Sequence, residues 1–205
     1  MARNRRSEGE RGRPGRPRAR LFLALEPAEA DRAALAAWRE ALVAGRQDLR
    51  PVAAQALHVT LVFLGWQFEA DVEAIWRAAA GAAAPLHAAR LTPGEVRPIP
   101  PRRPRLFALD LGDEAGRATG LQAALSDALE AAGLYRPERR PFWPHITLAR
   151  VRRGARAAPL EPRGPPPEPF GAATLTLYRS TLRPQGAIYD PLARLELPAA
   201  AEAGP

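Results

Sequence analysis

The apolar positions of this 205-residue chain fall into alternating strand-like and helix-like stretches. Residues 20–25 and 105–111 are Leu-, Phe- and Ala-rich runs of strand length, and each gives way to a pattern with a period near 3.6. The first helix opens at Pro27 and reaches about Ala44, with Leu35, Trp38 and Leu42 as its apolar stripe and Gly45 beyond it. The second spans 115–132, where Leu121, Leu125 and Leu129 recur four apart and Gly133 marks the stop. A strand follows each helix, at 57–64 and 144–151. Between the halves the pattern predicts a helix over 69–83, a hairpin turning at Pro93-Gly94 within 86–99 and a proline-rich connector over 98–104. Residues 152–169 are rich in Arg, Gly and Pro, and Pro165-Pro166-Pro167 cannot donate to a ladder, so an exposed loop is expected there. Strands at 174–182 and 187–197 close the chain. Interleaved helices and short antiparallel strands define an α+β protein.

The two halves repeat. Arg20-Leu21-Phe22 and Arg105-Leu106-Phe107 open them, and about forty residues later come His58-Val59-Thr60-Leu61 and His145-Ile146-Thr147-Leu148. These tetrapeptides hold two of the three histidines. In a strand His and Thr share one face while Val59 and Leu61, or Ile146 and Leu148, point into the core. A duplication packed about a pseudo-two-fold axis sets two imidazoles and two hydroxyls across a cleft. The expected organisation is one bilobal domain over 20–198, with pseudo-symmetric lobes starting near 20 and 105, each an antiparallel sheet with flanking helices. An Arg/Pro-rich disordered tail (1–19) precedes it and a short tail (199–205) follows.

Composition narrows the picture. A hydrophobic content of 46% supports a packed core, and the absence of cysteine excludes disulfides and thiolate metal sites. Apolar stretches end well short of the ~20 residues of a membrane span, and no signal-type apolar segment follows the basic amino terminus, so a cytoplasmic monomer is expected. The formal charge of +8 favours a polyanionic partner such as RNA. All 30 basic residues are Arg, and Ala, Pro and Gly are abundant, a pattern that G+C-rich codon bias produces by itself.

The paired motifs carry the chemistry. A single histidine on a strand is more often structural, and His87, with no Thr two places on, is read that way; Thr suits strands in any case. Identical placement in two repeats overturns that reading for His58, Thr60, His145 and Thr147. Two imidazoles near their ordinary pKa of about 6.5 can act as base and acid at once. His-x-Thr lacks the spacing of a divalent metal site. A pure RNA-binding module would explain the basicity but not the paired imidazoles.

The strings Leu57-His58-Val59-Thr60-Leu61-Val62-Phe63-Leu64-Gly65 and Arg140-Pro141-Phe142-Trp143-Pro144-His145-Ile146-Thr147-Leu148-Ala149-Arg150 resemble the two signatures of the two-histidine phosphoesterases, and within them the bacterial and archaeal RNA 2',3'-cyclic phosphodiesterases, also called 2'-5' RNA ligases. The likeness runs from Arg20 to Leu197 and includes the region of Ser180, Gly186 and Tyr189. It implies hydrolysis of a terminal ribose 2',3'-cyclic phosphate to a 2'-phosphomonoester with no metal or other cofactor, on RNA ends or cyclic nucleotides. It makes His58 the proton donor and His145 the acceptor, has Thr60 and Thr147 bond the phosphoryl oxygens, and places Arg150 and Phe22 near the nucleobase. Joining RNA ends through a 2'-5' bond is the related alternative. The chain departs from the resemblance in its amino-terminal tail, in Trp143 and in the proline-rich loop.

Overall fold

The computed structural model describes residues 16–162, 166–183 and 186–199; most of the expected amino-terminal tail and residues 200–205 lie outside these. Among the described residues there are eight strands and three α-helices. They run β1 (Arg18–Pro27), α1 (Glu29–Val43), β2 (Leu49–Pro51), β3 (Val59–Phe68), α2 (Val72–Ala83), β4 (Ala89–Ile99), β5 (Leu106–Gly112), α3 (Arg117–Ala131), β6 (His145–Val151), β7 (Phe170–Arg183) and β8 (Gly186–Glu196). No described helix is long and apolar enough to cross a membrane.

The strands form two antiparallel four-stranded groups, β8-β7-β1-β3 and β4-β5-β6-β2, which are the two lobes. They join at two places. β7 is long enough for its first residues to pair with β4 and its later ones with β1. At the centre β3 meets β6 through a single residue pair, Val59 with Ile146, and the strands then part. The pseudo-two-fold axis runs through this pair, because a cleft opens where the ladder fails to continue on either side of it.

The register makes the symmetry explicit. Leu25, Ala24, Leu23 and Phe22 face Val59, Thr60, Val62 and Phe63, just as Leu109, Ala108, Phe107 and Leu106 face Ile146, Thr147, Ala149 and Arg150. Each motif strand carries one extra residue at the same point, Leu61 in β3 and Leu148 in β6. Residues on either side of a bulge fall on one face, so Leu61 and Val62, like Leu148 and Ala149, are buried together. The next residues, Phe63 and Arg150, therefore return to the face that carries His and Thr.

Several expectations are corrected. Pro27 ends β1 and pairs with Ala172, and the helix begins two residues later, after Ala28. Pro93-Gly94 is a shift inside the continuous strand β4 and not a hairpin turn; Gly94 lies so close to the Asp110 backbone that a Cβ would sit 3.3 Å from its carbonyl oxygen. The strand β2 carries no apolar pattern and was not expected. The opening strands match as Phe22 with Leu106, one residue off the alignment of Phe22 with Phe107. A one-residue slip exchanges the faces of a strand, so Phe107 is in the core while Phe22 is on the cleft side. The helix stop at Gly133 holds, with its φ at +68° and Leu134 N–H returning to Leu129. In the expected loop, described residues 152–162 and 166–169 form no helix or strand after Val151. Arg46 donates to the carbonyls of Ala158 and Pro159 there.

Candidate active site

Each motif histidine is fixed from below by the chain two residues earlier. His145 Nδ1 lies 2.8 Å from the Trp143 carbonyl, which can only accept, so Nδ1 carries the proton. His58 likewise bonds the carbonyl of Ala56. Fixing one ring nitrogen sets the role of the other, and in His145 it leaves Nε2 for the cleft. Continuing the Val59–Ile146 pairing one step each way sets His58 opposite Thr147 and Thr60 opposite His145. The four motif residues thus surround the axis.

Behind each imidazole stands a carboxylate at equivalent positions. Asp110 pairs directly with His145, and Glu26 occupies the matching place beside His58. The buried Glu26 accepts from the Thr176 hydroxyl, from Arg32 at 3.0 Å and from Arg194 at 3.2 Å. Burial pushes its pKa up, but hydrogen bonds from Thr176, Tyr178 and Arg194 outweigh this and leave it below the usual carboxylate range. Burial, and then the Glu26 charge, push the Tyr178 phenol up to about 12. Asp110 accepts from Trp143 Nε1 and pairs with Arg97 at 2.7 Å.

The surroundings of the two histidines differ. His58 lies in a cluster of rings: Phe22 stacks on it with centroids 5.0 Å apart, Tyr189 meets it edge-on at 5.3 Å and Tyr178 is 5.9 Å away. Burial lowers its pKa to about 4; the Ala56 carbonyl and Glu26 oppose this, while His145 and Arg150 add to it. His145 instead stacks on the Trp143 ring at 4.2 Å with the planes 15° apart. A cavity of about 570 Å³ opens beside it, walled by Thr60, Phe63, Ile99, Leu106, Tyr135, Phe142 and Trp143 among others.

The structure brings His58, Thr60, His145 and Thr147 together and puts Arg150, exposed, on the same face near enough to His58 to act on its charge. Phe22 also reaches the site, but it is only 3% exposed and backs His58, so it offers a base little surface. Sequence reasoning missed Glu26, Asp110, Tyr178 and Phe63 as site residues. The repeated triplets Ala24-Leu25-Glu26 and Ala108-Leu109-Asp110 carry the signal for the two acids, and they also give the correct register.

A duplicated His-x-Thr pair across a cleft between two antiparallel lobes defines a two-histidine phosphoesterase, an enzyme of phosphate ester chemistry. A family model described as the 2'-5' RNA ligase superfamily matches residues 26–183, and the chain belongs to that superfamily. Among solved structures it is similar to TT0787 of Thermus thermophilus, with 29% identity and a TM-score of 0.71 over 89% of this chain and 100% of that one. E. coli LigT complexed with 3'-AMP is similar at 28% identity and a TM-score of 0.71, covering 88% and 99%. A protein described as a phosphoesterase aligns at 28% and 0.70 over 89% and 99%. No curated protein matches the chain.

Proposed function

We propose that the protein hydrolyses the 2',3'-cyclic phosphate at an RNA end to a 2'-phosphomonoester by acid/base catalysis without a metal. The observation that supports this most is the equivalent placement of His58-Thr60 and His145-Thr147 about one axis. The matching LigT holds a nucleoside monophosphate, 3'-AMP, which fits a nucleotide ligand here.

A phosphorus atom on the axis has one imidazole on each side, the arrangement an in-line displacement needs. Neutral His145 takes a proton from water, the water oxygen bonds to phosphorus, the bond from phosphorus to O3' breaks, and His58 returns a proton to O3'. In the free chain His58 is neutral at pH 7 because its pKa is about 4. An anionic phosphodiester against it, with Glu26 behind, favours the imidazolium, so binding charges the acid at the point of use. Thr60 and Thr147 donate to the nonbridging oxygens, and Arg150 counters the charge that develops on them. With Phe22 committed to His58, Arg150 carries the base contact on that side. The expected partners are RNA ends or cyclic nucleotides, bound by a cytoplasmic monomer.

The test is incubation with an oligoribonucleotide ending in 2',3'-cyclic phosphate, with and without EDTA. Ring opening at the same rate in both supports the reading. Loss of turnover on chelation, restored by a divalent ion, points instead to a metal hydrolase.

A further inference from the structure

The two lobes differ in length as well as in the side chains around their histidines. In the second lobe β5 starts at Leu106, the mate of Phe22, and β6 stops at Val151, one residue past the mate of Phe63. In the first lobe β1 begins earlier, at Arg18, and β3 runs on to Phe68, and these extra segments pair with each other. The extension has no counterpart in the duplicated plan and holds none of the reacting groups.

Its surface is aromatic and basic. Six large apolar side chains are exposed among the described residues, and the three aromatic ones, Phe63, Trp66 and Phe68, are all on β3, with Trp66 57% exposed. Beyond Val59 β3 pairs only with β1 among the described residues, so no strand covers its other side. Phe22 faces Phe63, Arg20 faces Trp66 and Arg18 faces Phe68. Facing residues of an antiparallel pair share one side of the sheet. Phe22 is on the cleft side, so all three rings lie on the face that carries His58 and Thr60.

Arginines lie over these rings. Arg20 is 4.5 Å from the Phe63 centroid, and Arg18 and Arg16 are 5.3 and 5.0 Å from that of Phe68. Arg20 donates to Ser180 Oγ at 3.1 Å and Arg18 to the Trp66 carbonyl at 2.7 Å. A guanidinium carries more N–H groups than these bonds use, so both keep donors for a further acceptor. Glu69, the acid that follows Phe68, pairs with Arg179 at 3.3 Å, which meets its charge. Exposed rings interleaved with cations suit a polyanion that carries planar bases, the rings taking bases and the guanidiniums phosphates. A duplex buries its base faces, so the matching form is a single strand. Trp66 and Phe68 are two residues apart, about 7 Å along the strand, which leaves space for a base on each.

We propose that the track of Phe63, Trp66 and Phe68 with Arg16, Arg18 and Arg20 binds the single-stranded body of the RNA whose terminal cyclic phosphate lies at the histidines. This rests on the reading above that an RNA end occupies the cleft toward His58. The strand leaves the cleft at Phe63 and runs out along β3, with bases on Trp66 and Phe68 and phosphates toward Arg18 and Arg20. The substrate is then an unpaired end of several nucleotides and not a terminal nucleotide alone.

The test compares adenosine 2',3'-cyclic phosphate with an octaribonucleotide ending in the same group, using the full-length protein. Binding is followed separately by fluorescence anisotropy of a labelled octamer ending in 3'-phosphate, a readout that needs no turnover. Trp66→Ala and Phe68→Ala should each weaken octamer binding and raise its KM by about tenfold, while Trp66→Phe, which keeps a ring, retains most of both. Arg18→Ala should make octamer binding less steeply dependent on salt. Turnover of the cyclic mononucleotide should be unchanged in all four. Equal octamer binding by the native chain and the Trp66→Ala/Phe68→Ala double variant, with the cyclic phosphate still hydrolysed, overturns the track and leaves the hydrolase reading standing. Octamer binding that the double variant loses, with no hydrolysis of either substrate, keeps the track and removes the reaction assigned to the cleft. Duplexed octamer binding as tightly as single strand overturns stacking on the exposed rings. No octamer binding, with a dimer in sedimentation that the double variant loses, assigns the rings to a second copy of the chain and overturns the proposal.

Discussion

The two halves of the cleft are built on one plan and furnished differently. Around His58 the space is packed with Phe22, Tyr178 and Tyr189 and backed by a buried carboxylate with several donors. Around His145 a single stacked Trp143 and a half-exposed Asp110 leave an open cavity. Backbone register is nearly identical in the two, down to the bulges at Leu61 and Leu148. The duplicated backbone thus sets the two imidazoles at equivalent positions, and divergence of their neighbours gives them different surroundings. On the proposed mechanism the His58 imidazole, neutral in the free protein, takes up its proton against the bound anion. On the same proposal His145, beside the cavity, activates the attacking water.

The largest effect expected is on the histidines. His58→Ala and His145→Ala should each reduce turnover by ~10²- to 10⁴-fold. The double variant should be little worse than either single one, because acid and base act as a unit. Steady-state kinetics on a cyclic mononucleotide checks this, and near-native turnover from either folded single variant would dissolve the comparison.

Arg150 and Phe63 occupy equivalent positions with unlike chemistry, so their removal should separate. Arg150→Ala is expected to lower kcat/KM for hydrolysis by about 10- to 100-fold, the worth of one charged hydrogen bond. Phe63→Ala, which removes a cavity-lining ring but no charge, should lower it by less than about threefold. Equal effects of the two variants on hydrolysis would mean that the halves of the cleft are not specialised.

These two residues also mark where sequence reading stopped. Alternation from His58 or His145 identified the face that carries His and Thr and the core positions, and the interleaving of helices and strands gave the α+β class. The same alternation carried past Leu61 or Leu148 puts Phe63 and Arg150 in the core, because a bulge leaves no reliable trace in side-chain pattern. Resemblance alone reached Arg150, and nothing reached Phe63. Resemblance alone also placed Phe22 near the nucleobase, and its burial depends on Tyr178 and Tyr189, which arrive from strands more than 150 residues later. Pro27 and Pro93-Gly94 misled for a related reason: pairing with β7 and β5 overrode local turn signals.

The carboxylates provide a smaller contrast. Glu26→Gln keeps shape but removes the charge that Arg32 and Arg194 meet, and should destabilise the fold by about 1–3 kcal/mol. Asp110→Asn, at a less buried position, should cost less. Urea denaturation of both variants measures the order, and a reversal would show that Glu26 is not the better anchored acid.

A further contrast concerns pH. The His58 pKa is about 4 in the folded chain and near 6.5 when unfolded. Between these values the unfolded state binds the extra proton, so stability rises with pH there. Its contribution is fully present above about 6.5 and is lost as pH falls toward 4. Denaturation midpoints should decline over this window in the native chain and less steeply in His58→Ala. Proton NMR should show the His58 resonance titrating near 4 and moving upward when inorganic phosphate is added.

The assignment of tasks to the two histidines meets its most direct test in which ring bond breaks. Phosphorus NMR of the product from adenosine 2',3'-cyclic phosphate, compared with both authentic isomers, reads this outcome. With His58 protonating O3' and His145 activating water, the expected product is adenosine 2'-phosphate. Predominant 3'-phosphate would contradict this and exchange the roles of the two halves of the cleft.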